Sequence, residues 1–166
     1  MKSPYYRADI SDLAHRVGQL LLQHGAKITT AESCTGGGIA QVITAVPGSS
    51  QWFDCGYISY SNQAKQDLLA VEPELLQQFG AVSEQVVEQM ARGAIRACKA
   101  DYAIAVSGIA GPDGGTADKP VGTVWLCWAG PSKTLSKKYQ FEGDRLAVRE
   151  QAIKISLQEL LHQINE

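Results

Sequence analysis

Residues 29–38 read Thr-Thr-Ala-Glu-Ser-Cys-Thr-Gly-Gly-Gly, and no other stretch restricts the fold as tightly. A short β-type run at 28–31 leads straight into two side chains able to act as nucleophiles, Ser33 and Cys34. Thr35 follows in a position to cap a helix, and three glycines come next. Glycine lets backbone N–H groups approach a ligand closely, and a helix N-terminus adds partial positive charge. A strand that delivers a hydroxyl to the start of a helix suits attack on the acyl group of an amide or ester. The developing oxyanion needs N–H donors beside the attacking oxygen. The same letters also describe a plain Gly-rich β-to-α turn with a capping hydroxyl. Both readings stand at this point.

The pattern recurs further on. Residues 102–106, Tyr-Ala-Ile-Ala-Val, form a continuous apolar run of the kind buried on both faces of a sheet. They empty into Ser107-Gly-Ile-Ala-Gly-Pro-Asp-Gly-Gly-Thr, a second glycine-rich stretch. Around these two strands the rest alternates. Apolar residues at helical spacing predict a covering helix over 10–24, with Ser11 as its cap and Gly25 as its stop. A helix over 38–45 ends at the turn Pro47-Gly-Ser-Ser. An aromatic-rich strand over 52–60 precedes a helix over 63–70, with Ser61-Asn62 as its cap and Lys65 in its first turn. Pro73 opens a short helix to Phe79, Gly80 breaks it, and Ser83 is placed to cap a long helix ending at Lys99. Strands over 121–129 and 134–141 form a hairpin about Gly130-Pro131, and a helix over 144–164 follows. The expected architecture is α/β, a layered sandwich with a mixed β-sheet covered by helices on both faces.

The totals narrow the function. With 166 residues the chain reads as one domain spanning 1–166, large enough for a core without staples. A net charge of −2 without a basic tract argues against nucleic acid as a partner. Cys34, Cys55, Cys98 and Cys127 form no C-x-x-C pair, which reads as reduced thiols rather than a disulfide framework or a zinc site. No apolar signal core and no run of about 18 apolar residues is present, so a soluble, cytoplasmic protein with no membrane partner is expected. The paired amphipathic helices allow a homodimer.

Two glycine-rich loops leaving strands at their carboxyl ends place a ligand at the edge where open α/β sheets hold them. Neither loop has the G-x-x-x-x-G-K-[ST] or G-x-G-x-x-G spacing, which disfavours a nucleotide triphosphatase and a dinucleotide oxidoreductase. What remains is a backbone-lined pocket for an anion.

Ser33 needs a base. His15, His24 and His162 all lie in helices away from the glycine-rich segments, so a Ser-His pair is disfavoured. A lysine whose pKa burial has lowered is the natural substitute, and Lys65 is the best placed; an ordinary solvated lysine is the competing reading. Tyr60 is a candidate to relay the proton or hold Lys65, or else a plain strand aromatic. Cys34 competes as nucleophile, but without a paired histidine it stays a thiol and reads as a packing residue. Arg145 and Arg149, spaced i, i+4, either clamp a phosphate or carboxylate or pair with Asp144 and Glu150 in solvent. Trp52, Phe53 and Tyr57 either stack on a planar ring or fill the core. Lys119 sits where its charge can face the pocket.

Six ordered motifs then carry a resemblance: Thr30-Ala-Glu-Ser-Cys-Thr-Gly-Gly, Pro47-Gly-Ser-Ser, Tyr60-Ser-Asn-Gln-Ala-Lys, Gly80-Ala-Val-Ser-Glu, Ser107-Gly-Ile-Ala-Gly-Pro-Asp-Gly-Gly and Lys119-Pro-Val-Gly-Thr-Val. Over about residues 10–165 the chain resembles the CinA C-terminal domain family, and within it the stand-alone nicotinamide-nucleotide amidases. The resemblance implies hydrolysis of the carboxamide of nicotinamide mononucleotide to nicotinate mononucleotide and ammonia, in pyridine-nucleotide salvage. It also implies a Ser-Lys type mechanism without cofactor or metal. Carried over by motif, Ser33 is the nucleophile, with Lys65 and Tyr60 assisting. Thr35, Gly36, Gly37, Ser107, Gly108, Gly111, Arg145 and Arg149 are the expected substrate-binding set. The chain departs from the commonest family pattern at Ser107, where many members have Thr, and at Cys55, where Gly is usual. A non-catalytic nucleotide-binding domain built on the same loops is the rival reading, and a Cys34 hydrolase a third.

Overall fold

A computed structural model of the chain describes residues 7–165. Helix α1 (Ala8–His24) leads into strand β1 (Ile28–Glu32), and helix α2 (Gly38–Thr44) precedes a single 3-10 turn at Ser49–Gln51. Strand β2 (Phe53–Ile58), helices α3 (Asn62–Leu69), α4 (Pro73–Phe79) and α5 (Glu84–Cys98) and strand β3 (Tyr102–Gly108) follow. Strands β4 (Thr123–Ala129) and β5 (Thr134–Gln140) make the hairpin, and α6 (Arg145–Asn165) is the last element described. The five strands lie in the order β2-β1-β3-β4-β5. β1 runs parallel to both β2 and β3, while β4 and β5 are antiparallel additions. The mixed α/β sandwich expected from the alternation of elements is what forms.

Each face of the sheet is covered by a different set of helices. α1, α2 and α6 pack over one face around Ile28, Ile104, Val106, Leu126 and Trp128. On the other face, α3, α4 and α5 cover Ala31, Ala103, Ala105, Cys127 and Ala129. The small side chains on this second face let α5 sit close to the strands. Contact between helices there is closer still. A Cβ on Gly93 of α5 would run into the Leu69 carbonyl at the end of α3, so only glycine admits α3 at this depth. The opposite face has a matching device: Gly18 of α1 lies against the Trp52 ring, which a Cβ would approach to 2.6 Å. Trp52 is 1% exposed, and Phe53 and Tyr57 also pack against the cores, so these three aromatics are structural.

Three helix caps differ from expectation. α1 begins at Ala8, before Ser11, and has no side-chain cap. Ser83 precedes α5, but its hydroxyl donates back to the Gly80 carbonyl at 2.8 Å instead of accepting from the helix. Thr35 does not cap α2, whose N-cap is Gly37 in a left-handed conformation. By contrast Ser61 caps α3 as expected, its hydroxyl accepting from the Ala64 N–H at 3.0 Å. Gly25 closes α1 with a left-handed φ of 60°. No helix among the described residues is long and apolar enough to cross a membrane.

The parallel trio puts the carboxyl ends of β1, β2 and β3 at one edge of the sheet. Because β4 and β5 are antiparallel, the loop 109–122 and the start of α6 return to that same edge. Everything the chemistry needs arrives there.

Candidate active site

Ser33 is the first residue past β1. Its N–H donates to the Val106 carbonyl of β3 at 3.0 Å, so the residue is held by the sheet although it lies outside the strand. The neighbouring Ser59 N–H donates to the Glu32 carbonyl at 2.9 Å and extends the ladder in the same way. The chain then turns through Tyr60 into α3, and Lys65 falls on the inner side of its first turn. Its side chain is 1% exposed. Lys65 Nζ lies 3.1 Å from Ser33 Oγ, and it donates to the main-chain carbonyls of Ser59 at 2.8 Å and Tyr60 at 3.3 Å. Burial without a carboxylate partner disfavours the ammonium form and brings Lys65 down to about 8.

The valence of the amine explains the geometry. A neutral amine has two N–H bonds and one lone pair. In the structure Nζ donates to three oxygens, the two carbonyls and Ser33 Oγ. Once the amine is free, the carbonyls can keep its two N–H bonds and the lone pair is left on the side of Ser33. The solvated alternative for Lys65 is excluded by its burial.

Tyr60 enters differently from expectation. Its carbonyl, not its phenol, meets Lys65. Tyr60 is 59% exposed, and its hydroxyl accepts from Arg145 at 3.0 Å. Arg145 also donates to the Gly111 carbonyl at 2.8 Å, so one guanidinium joins α6, Tyr60 and the second glycine loop. Arg149, one turn further along α6, donates to the Thr35 carbonyl at 2.9 Å. Its buried Nε has no partner among the described residues. Neither arginine forms an ion pair with Asp144, Glu150 or any other carboxylate among the described residues.

The turn after Ser33 is built around a residue that the sequence reading passed over. Glu32 is fully buried. Its Oε2 accepts from Thr35 Oγ1 at 2.6 Å and from the N–H groups of Gly37 at 3.1 Å and Ile39 at 3.0 Å; its Oε1 accepts from the Ala40 N–H at 2.8 Å. The strand's last side chain thus caps the helix that follows. Gly36 N–H donates to the Ser33 carbonyl and Gly38 N–H to that of Thr35. In the turn from Ser33 to Ala40, only Cys34 and Thr35 keep an N–H without an oxygen acceptor among the described residues. Gly36 and Gly37 therefore serve the turn by their positive φ of 59° and 93°, and their N–H groups are already engaged.

The remaining expected residues sort by packing. Ser107 is 2% exposed at the end of β3. Gly108 pairs with Val124, and a Cβ there would press on Val124 and the Thr123 carbonyl. Gly111 has a φ of 84° and presents its carbonyl to Arg145. Lys119 turns toward α4, donating to the Phe79 carbonyl at 2.7 Å. Burial pushes the Cys34 thiol up to about 12, so it stays protonated and fits the packing reading. His15, His24 and His162 are all exposed on α1 and α6. No histidine serves Ser33.

A serine hydroxyl against a buried amine, the turn after Ser33 and two guanidinium groups without an ion-pair partner among the described residues thus meet at the carboxyl edge of the sheet. Comparison with known proteins supplies the family. The solved structure described as competence/damage inducible protein CihA from Agrobacterium tumefaciens superposes with a TM-score of 0.95 at 40% identity, covering 99% of this chain and 100% of that one. The "Nicotinamide-nucleotide amidohydrolase PncC" of Pseudomonas putida is 56% identical over 152 residues, 92% of this chain and 95% of the relative. The protein of the same name from Escherichia coli K12 is 52% identical over 157 residues, 94% of this chain and 95% of that one. The family model for the CinA C-terminal domain matches residues 10–164, and the chain belongs to that family.

Proposed function

We propose that the protein is an amidohydrolase that converts nicotinamide mononucleotide to nicotinate mononucleotide and ammonia, a step of pyridine-nucleotide salvage. The reaction it supports is the one in the names of its relatives at 52–56% identity. The observation that carries the mechanism is the 3.1 Å approach of Lys65 Nζ to Ser33 Oγ in a site where the amine is buried.

The substrate's 5′-phosphate lies against Arg145, whose fork geometry suits an anion and which forms no ion pair among the described residues. The carboxamide carbon faces Ser33. Lys65 enters as the free amine, and its lone pair takes the hydroxyl proton as Oγ bonds to the carbonyl carbon. The oxyanion meets the Thr35 and Cys34 N–H groups; one such donor changes the rate by about 10²–10³-fold in comparable sites. On collapse the C–N bond breaks, Lys65 passes its proton to the departing nitrogen, and ammonia leaves. Water, deprotonated by the same amine, attacks the ester, and the acid product departs with Ser33 restored. The two carbonyls that hold Lys65 serve both half-reactions, since they keep its third valence aimed at the reacting atom throughout.

Incubation with nicotinamide mononucleotide and assay of ammonia and nicotinate mononucleotide tests the reading. Release of both in equal amounts, abolished in Ser33→Ala with the fold intact, is expected. Binding without product would transfer the protein to the non-catalytic nucleotide-binding class. Full turnover by Ser33→Ala would remove the serine from its role.

A further inference from the structure

The α2 N-terminus beside Ser33 looks from sequence like the anion site: three glycines and a helix start. In the structure that end is already filled from within the fold. Glu32 takes up the N–H groups of Gly37, Ile39 and Ala40, so no ligand oxygen can use them without displacing a buried carboxylate. The same carboxylate grips Thr35 Oγ1 at 2.6 Å, while Arg149 holds the carbonyl of Thr35 from the α6 side at 2.9 Å. Thr35 is thereby fixed through its side chain and through its carbonyl, and its N–H has no oxygen acceptor among the described residues.

We propose that Glu32 is the positioning residue of the oxyanion site. It closes the helix end to anions and, through Thr35 Oγ1, orients the Thr35 N–H toward the carbonyl oxygen that becomes negative when Ser33 attacks. Glu32 does not touch the substrate. Its effect is on where the oxyanion donor points, and hence on the rate of the chemical step and not on substrate affinity. The inference rests on Ser33 being the nucleophile of the amidohydrolase reading. A carboxylate is needed because four donors converge on it, and a neutral amide turns one acceptor oxygen into an NH₂ group facing an N–H. Threonine is needed at 35 for its hydroxyl: valine has the same shape but cannot donate.

The test uses the whole chain with Glu32→Gln, Thr35→Val and Thr35→Ser, reading kcat and KM for ammonia release and the rate of Ser33 labelling by a fluorophosphonate. Circular dichroism establishes folding. The expected result is a fall of about 10- to 100-fold in kcat for Glu32→Gln and about 10-fold for Thr35→Val, with KM within about twofold of the parent. Thr35→Ser, which keeps the donor, recovers most of the Thr35→Val loss. Fluorophosphonate labelling slows in parallel, because the phosphonyl oxygen occupies the same donor. If Glu32→Gln does not fold, the Thr35 pair decides. Unchanged kcat in Glu32→Gln or Thr35→Val, equal losses in Thr35→Val and Thr35→Ser, or a rise in KM alone would overturn the proposal. A parent protein that releases no ammonia refutes the amidohydrolase reading instead. The labelling rates then judge Glu32 separately: slowing in the variants upholds its role, and equal rates end it.

Discussion

Replacing Lys65 with methionine should make the protein inactive and change how its stability depends on pH. The amine titrates near 8 in the folded state and near 10.5 when exposed, because burial penalises its charge. Between those values the unfolded chain binds more protons than the folded one, so stability rises with pH through this window. At pH 7 the buried lysine opposes folding by about 3 kcal/mol, and by pH 10 only about 1 kcal/mol of that remains. Methionine has nearly the same length and no charge, so it relieves the penalty but leaves the Ser59 and Tyr60 carbonyls without their donor. That second loss does not depend on pH. The stability of Lys65→Met relative to the parent should therefore fall by about 2–3 kcal/mol between pH 7 and pH 10, whatever its absolute size. Urea unfolding of both proteins at half-unit pH steps measures this directly. In the same range the parent's kcat/KM should climb as Lys65 loses its proton and level off above about pH 8. At pH 7 about a tenth of the enzyme has the free amine, against fewer than about one molecule in a thousand for an unperturbed lysine. A stability difference that stays flat from pH 7 to pH 10 would show that the charge on Lys65 is not penalised, and the general-base argument would fail with it.

Other expectations are more local. Arg145→Ala should raise KM for nicotinamide mononucleotide about tenfold or more with a smaller change in kcat, and a substrate lacking the phosphate should not feel the substitution. Gly93→Ala should cost about 1–3 kcal/mol in chemical denaturation, since the new methyl meets the Leu69 backbone and α3 must move. Because α3 carries Lys65, kcat should fall as well, and a destabilised variant with unchanged kcat would contradict that coupling. Ser61→Ala removes the α3 cap and should cost about 1 kcal/mol. Iodoacetamide at pH 7 should leave Cys34 unmodified by mass spectrometry and leave ammonia release intact, because a thiol pushed up to about 12 is not a thiolate at that pH.

The layered fold was legible because hydrophobic period and glycine placement are local signals. The run 102–106 could only be an interior strand, and Pro73, Gly25 and Ser61 act where their chemistry says they should. Ser33 was legible for the same reason, as a hydroxyl between a strand and three glycines. Spacing alone could not decide Lys65, since its burial comes from contact with Ser33 at the end of β1, 32 residues away in the chain. Glu32 was invisible because its role is written in main-chain N–H groups, and those leave no mark in the letters. A fully buried acid at the last position of an otherwise buried strand was the available clue. The caps at Ser11, Thr35 and Ser83 differ for reasons that residue type does not reveal: α1 begins before Ser11, Glu32 takes up the N–H groups of α2, and the Ser83 hydroxyl turns back to the Gly80 carbonyl. Tyr60 was recognised through its motif, whereas it is its carbonyl that reaches the amine.

The placement of Arg145 and Arg149 on the last described helix has a consequence for biosynthesis. A chain translated as far as residue 140 already contains the whole sheet, the serine and the lysine, yet has neither guanidinium that braces Thr35, Tyr60 and Gly111. Emergence of α6 from the ribosome thus supplies both the cover for one sheet face and the braces for the mouth of the cleft. Until that helix docks, Thr35, Tyr60 and Gly111 lack the side chains that tie their loops together.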